Sequence, residues 1–139
     1  MGEKRGEIGG FPMTILGIDF GRKNLGIALA SGPLAEPLTV LPNSPKGLDH
    51  LRRICEEEEV EKIVVGISEG QMARETQLFA QNVRQMLNRP VQLHDETLST
   101  HEAIERLIAS RAKQKKRRDL DAFAATIILQ DYLDHGKLE

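Results

Sequence analysis

The chain has 139 residues, of which 40% are hydrophobic, 29% charged and 4% aromatic, and its formal net charge is −2. This length holds one domain with a proper core, and the composition is that of a soluble globular chain rather than a disordered or membrane-spanning one. A slightly acidic chain that binds a polyanion must do so through a local patch.

The opening segment, "MGEKRGEIGGFP" over residues 1–12, is polar and glycine-rich and lacks the apolar core of a signal peptide. It reads as a loose tail ahead of a single domain over residues 13–135. "TILGIDF" (Thr14–Phe20) is a β-branched, apolar strand. "GRKN" (Gly21–Asn24) is a turn, and "LGIALA" (Leu25–Ala30) resumes as a second strand. "PLTVL" (Pro37–Leu41), flanked by prolines, reads as a third strand at a sheet edge. "GLDHLRRICEEEE" (Gly47–Glu59) places Leu48, Leu51, Ile54 and Cys55 at helical spacing. Cys55, the one cysteine, is expected to be a buried structural thiol. A lone cysteine suits a reducing cytosol and rules out an internal disulfide.

"KIVVGI" (Lys62–Ile67) is a continuous apolar strand of the kind buried in parallel sheets. "MARETQLFAQNVRQML" (Met72–Leu87) reads as an amphipathic helix through Leu78, Phe79, Val83, Met86 and Leu87. "PVQLHD" (Pro90–Asp95) is a further strand. "STHEAIERLIAS" (Ser99–Ser110) opens on a capping box, Ser99 with Glu102, and carries an apolar stripe of Ala103, Ile104, Leu107 and Ile108. "RAKQKKRR" (Arg111–Arg118) is a basic break. "DLDAFAATIILQDYL" (Asp119–Leu133) is the last helix, with Asp119 as its expected N-cap. A hairpin start followed by βαβ crossovers implies an α/β fold, a mixed β-sheet flanked by helices. No apolar run is long enough to span a membrane.

Asp19 stands alone in an apolar, glycine-rich strand, and a buried acid without compensation is costly. Glu96 follows the last strand, and Asp121 sits in the first turn of the last helix. In open α/β sheets, sites form beyond the carboxyl ends of the strands. Carboxylates gathered there repel one another unless cations lie between them. Their hard oxygens suit Mg²⁺ or Mn²⁺. Two such ions roughly 3.5–4 Å apart activate a water and steady the leaving oxygen in phosphodiester hydrolysis. The plainer readings stand beside this one. Asp119 and Asp121 both suit a helix dipole, Asp95 and Glu96 suit a loop, and Glu69 suits a solvated turn. Glu102 reads as a capping partner, and His94 and His101 read as surface residues.

The basic run holds six Lys or Arg in eight residues. Most such runs are solvated faces. This one leads into the helix carrying Asp121, so Lys113, Lys115, Lys116, Arg117 and Arg118 are candidate phosphate contacts, with Arg22 and Lys23 of the hairpin turn. With Phe20 the only aromatic near the site, base stacking is not advertised. Backbone or shape recognition is expected.

Four blocks, "GIDFGRKNLGIALAS", "IVVGISEG", "HDETLSTHEA" and "DLDAFAATIILQDYL", resemble the YqgF or RuvX family of RuvC-like nucleases, in family order from about Thr14 to Leu133. The resemblance implies an RNase H-like fold and a cytoplasmic nuclease that trims the 5′ end of pre-16S rRNA. It also implies relatedness to Holliday junction resolvases. It carries catalytic and metal-ligand roles onto Asp19, Glu96 and Asp121, with Mg²⁺ or Mn²⁺ as cofactor and Glu69 or Asp95 as candidates to complete the metal shell. The family often has Arg where Asn24 and Thr97 stand here, so two potential phosphate contacts are absent. Its loop after "VVG" often has Pro and is longer than "ISEG".

Structured RNA or branched DNA is then the expected partner, and the protein is expected to be a monomer or a homodimer. A resolvase on a two-fold junction would need the dimer. Two other classes compete. A nucleic-acid-binding module without catalysis would fail to bind Mn²⁺. A phosphotransferase, suggested by likeness of the first block to the phosphate loop of actin-like ATPases, would need a second phosphate loop and a second large domain.

Overall fold

The computed structural model describes residues 13–67, 72–95, 102, 105, 106, 109 and 117–135, the last stretch with side chains from Leu120 onward. Its elements run β1 (Ile15–Phe20), β2 (Asn24–Ala30), β3 (Glu36–Pro42), α1 (Pro45–Glu57), β4 (Lys62–Ile67), α2 (Met72–Leu87), β5 (Val91–Asp95) and α3 (Arg117–His135). Between β5 and α3, Glu102, Glu105, Arg106 and Ala109 also have helical backbone and are exposed.

The sheet order is β3-β2-β1-β4-β5. β1 pairs antiparallel with β2, and β2 with β3, whereas β1–β4 and β4–β5 are parallel. This is the expected mixed sheet, with the meander on one side and the crossovers on the other. β3 lies at an edge, as its prolines predict. A register shift opposite Ile27 and Ala28 leaves Leu38 unpaired, a bulge that bends the edge.

Period-two alternation divides the core. Leu16, Ile18, Leu25, Ile27, Ile63 and Val65 pack with Leu51 and Ile54 of α1 and Phe79 and Val83 of α2. On the opposite face, Ile15, Ala28, Ala30 and Val64 pack with Ala125, Leu129, Tyr132 and Leu133 of α3. β4 is apolar from Ile63 onward because helices cover both of its faces. Glycine brings α3 close: a Cβ at Gly17 would lie 2.8 Å from Leu129 Cβ, and one at Gly66 would lie 2.7 Å from Ile128 Cδ1. Gln130 ties the β2–β3 connection to α3, accepting from Ala35 N–H at 2.9 Å and donating to the Pro33 carbonyl at 2.9 Å.

Three expectations change. Helix α1 starts earlier, because Ser44 caps it and Pro45 suits its first turn; the Ser44 hydroxyl accepts from Gly47 N–H at 3.3 Å. The buried stripe of α2 is Thr76, Phe79, Ala80, Val83 and Leu87. Leu78 and Met86 are exposed, at 54% and 43%. The small residues Thr76 and Ala80 let α2 approach the sheet, and with 3.6 residues per turn that turns Leu78 outward. Finally, α3 begins at Arg117, so Asp119 lies inside the helix rather than capping it, and Asp121 lies one turn in.

Candidate active site

Asp19 is the penultimate residue of β1 and is half-buried. It shares its face with Ile15 and Gly17, the face that α3 covers. Across the ladder it pairs with Gly26 of β2. An ideal Cβ at Gly26 would lie 2.0 Å from the Asp121 carbonyl oxygen. Only glycine admits the α3 backbone there. One residue thus places β1 and α3 at a common corner, and that corner holds both Asp19 and Asp121, the latter half-buried. The corner lies at the carboxyl end of β1, the same edge at which the parallel strands β4 and β5 finish.

Asp95 ends β5 and is exposed. Alternation puts it with Val91 and Leu93, which pack toward α1 and α2, so the sheet separates it from Asp19. Glu96, Glu69, Lys113, Lys115, Lys116, Thr97, His101 and the stripe Ala103, Ile104, Leu107 and Ile108 lie outside the described residues, as do residues 1–12 and the side chains of Arg117 and Arg118. Among the described residues, no three His, Cys, Asp or Glu side chains are grouped to hold a metal ion. Asp19 and Asp121 are the described part of the candidate carboxylate set. Carboxylate oxygens brought to one corner by the close approach at Gly26 are the hard donors that Mg²⁺ or Mn²⁺ takes.

His94 corrects the surface expectation. It faces α3, and its Nε2 lies 2.7 Å from Asp131 Oδ2, with the two side chains only 12% and 13% exposed. Its ring meets Tyr132 edge-on at 5.7 Å. Lys62 Nζ donates to the Tyr132 hydroxyl at 2.6 Å. The His94 contacts lock the end of β5 onto α3, and Lys62 ties the start of β4 to the same helix. The readable signal was an acid, Asp131, beside a tyrosine, just after the mainly apolar run Ala122–Leu129.

The hairpin turn between β1 and β2 is pinned by Asn43, whose Nδ2 donates to the Gly21 carbonyl at 2.8 Å and whose N–H donates to the Lys23 carbonyl at 2.8 Å. Lys23 is exposed. Arg22 grips Glu75 of α2 with two bonds, Nε to Oε1 at 3.0 Å and Nη2 to Oε2 at 2.7 Å. The hydrogen bonds from Arg22 hold the Glu75 carboxyl below its usual range, and those to Glu75 raise Arg22. Neither Asn43 nor Glu75 was legible as a site residue, since their contacts join segments distant in sequence. Cys55 is buried, and burial pushes its thiol up to about 11, with Arg89 pulling more weakly the other way. A thiol held protonated in this way is no nucleophile.

A five-stranded mixed sheet with helices on both faces and acids at the carboxyl end of its first strand defines a domain of the RNase H-like class. Solved structures agree on the fold. RuvC of T. thermophilus in complex with a Holliday junction substrate superposes with a TM-score of 0.56 at 15% identity, covering 89% of this chain and 96% of that one. The fowlpox virus resolvase in complex with Holliday junction DNA gives 0.52 at 11% identity, covering 91% and 100%. The chain belongs to the RuvX family, described as Holliday junction resolvase, whose model matches residues 13–135. Among its relatives, a protein of Syntrophomonas wolfei is 39% identical over 137 residues, covering 91% of this chain and 97% of that protein. One of Thermosynechococcus vestitus is 38% identical over 133 residues, covering 88% of each. Both carry the name "Putative pre-16S rRNA nuclease".

Proposed function

We propose that this chain is a divalent-metal-dependent nuclease that hydrolyses phosphodiester bonds at the 5′ end of pre-16S rRNA in the cytoplasm. The family and the names of its relatives support nuclease activity on nucleic acid. The observation supporting the site is the contact of Gly26 with both Asp19, across the ladder, and the Asp121 backbone. In this reading Asp19, Asp121 and Glu96 hold Mg²⁺ or Mn²⁺, with Glu69 as a further ligand. When bound, the cation supplies an activated water and charge for the leaving oxygen. Lys23, Arg22, Lys113, Lys115, Lys116, Arg117 and Arg118 contact substrate phosphates and set its position. The domain comprises residues 13–135, with residues 1–12 as an appended tail. No helix among the described residues is long and apolar enough to cross a membrane.

The family description favours a second reading, a resolvase of branched DNA acting as a homodimer. One assay separates the two. A 5′-extended rRNA precursor fragment and a four-way DNA junction are each incubated with Mn²⁺ and with wild type or Asp19→Asn. RNA cutting that vanishes in the variant supports rRNA processing. Junction cutting alone selects the resolvase. Binding without cutting of either substrate leaves a nucleic-acid-binding module.

A further inference from the structure

Arg22 stands three residues beyond Asp19, in the turn at the carboxyl end of β1, so it lies at the same sheet edge as the Asp19 corner, and its side chain reaches Glu75 of α2, which packs on the face opposite α3. Its guanidinium is not presented to solvent as an open fork. The Nε–Nη2 edge, which matches a carboxylate or a phosphate equally well, is filled by both oxygens of Glu75. The pair is exposed, with side chains 61% and 42% accessible. Solvent reaches both partners, so another anion can compete with the carboxylate for this edge even though the pair is bidentate. Glu75 also lies in the first turn of α2, where the helix dipole favours its charged form after Arg22 leaves. A carboxylate on this edge thus acts as an internal stand-in for a phosphate.

We propose that the Nε–Nη2 edge of Arg22 is a phosphodiester-binding site which Glu75 occupies in the free protein, and that nucleic acid binds there by displacing Glu75. The inference rests on the nuclease reading and deepens it. Glu75 becomes a determinant of specificity: a lone phosphate contact must compete with it, whereas a substrate that engages the basic residues together displaces it. The exchange has a signature in salt. In the wild type, the phosphate that Arg22 neutralises sheds a condensed cation while the displaced Glu75 gathers one, so the exchange releases none on balance. With glutamine at 75 no cation is taken up, and Arg22 counts among the sites whose binding releases a counterion.

The test is anisotropy of a fluorescein-labelled RNA stem–loop with a 5′ extension, titrated with protein in EDTA so that it is not cut. Wild type, Glu75→Gln, Arg22→Gln and the double variant are compared between about 50 and 200 mM NaCl. The proposal expects Glu75→Gln to bind roughly three- to tenfold more tightly at low salt, with a slope of log affinity against log salt steeper by about 0.7–0.9. It expects both gains to disappear when Arg22→Gln is added. An unchanged or weakened Glu75→Gln overturns the proposal. So does a gain that persists in the double variant, which would mark general relief of repulsion. Thermal unfolding of each variant identifies a fold defect, and Glu75→Asp, which keeps the charge, must restore the wild-type slope. Loss of salt-dependent binding in every protein, wild type included, overturns the nucleic-acid reading and this proposal with it. Intact wild-type binding with no effect at Glu75 overturns this proposal alone.

Discussion

At Gly26 a single hydrogen separates two elements of the site. Alanine there would bring a methyl carbon to 2.0 Å from the Asp121 carbonyl oxygen, and the obstructing atom is backbone that cannot rotate away. Gly26→Ala is expected to cost about 1–3 kcal/mol in urea unfolding, as overpacking does. It should also cut the cleavage rate at least roughly tenfold, the equivalent of about 1.4 kcal/mol in the barrier, because Asp121 moves relative to Asp19. Unchanged cleavage would mean that the two acids do not act together. Cys55 carries a second expectation at this scale. The folded thiol holds its proton up to about 11, against an ordinary 9.0. Between those values the unfolded chain has lost the proton that the folded chain keeps, so stability falls as pH rises. At about 1.36 kcal/mol per unit, the loss is on the order of 2 kcal/mol. Cys55→Ala should lack this part of the alkaline slope in denaturant unfolding, and equal slopes would refute it.

Among elements, the polar cluster on α3 does more than the apolar face alone. His94 and Asp131 join β5 to α3 in a half-buried contact, so β5 is held at its carboxyl end, just where the sequence turns to Glu96. Removing the imidazole leaves the Asp131 carboxylate without its shortest contact. His94→Ala is therefore expected to cost about 1–3 kcal/mol by equilibrium unfolding. A cost near zero would show that water replaces the ring. The sequence reveals elements of this kind unevenly. β1, β2 and β4 were legible because β-branched runs and a glycine-flanked turn have few other solutions, and the edge position of β3 followed from its prolines. The face of α2 was not, because Thr76 and Ala80 are weakly apolar while Leu78 and Met86 advertise burial they do not have. The start of α3 was hidden by its basic residues, which read as loop. Asp19 and Asp121 were named as candidates from the lone acid and its place in the chain, but their junction at Gly26 depends on packing between segments far apart. The links from His94 to Asp131, Arg22 to Glu75 and Asn43 to the hairpin turn depend on such packing too.

Across the whole molecule, a net charge of −2 gives no general attraction for a polyanion, while Asp19 and Asp121 meet at one corner of the sheet. Such an arrangement is expected to respond to divalent cations before any substrate is present. Mn²⁺ should raise the melting temperature of the wild type, by the equivalent of about 2.7 kcal/mol at a hundredfold excess over its dissociation constant. Asp19→Asn should show a much smaller rise, and EDTA should abolish both the rise and cleavage. Equal rises in the two proteins would place cation binding elsewhere.

The three glycines beneath α3 also set the paths along which this sequence can drift. Every other amino acid carries a Cβ, so none of the three positions has a neutral replacement by itself. At Gly66 the obstruction is the branched tip of Ile128, and a shorter residue at 128 would open room for alanine. At Gly17 the nearest atom is Leu129 Cβ, which only a second glycine would remove, at the cost of a weakened helix. At Gly26 the obstacle is main chain, and no partner substitution exists. A saturation library selected for activity should therefore recover paired changes at 66 and 128, few at 17 and 129, and glycine alone at 26.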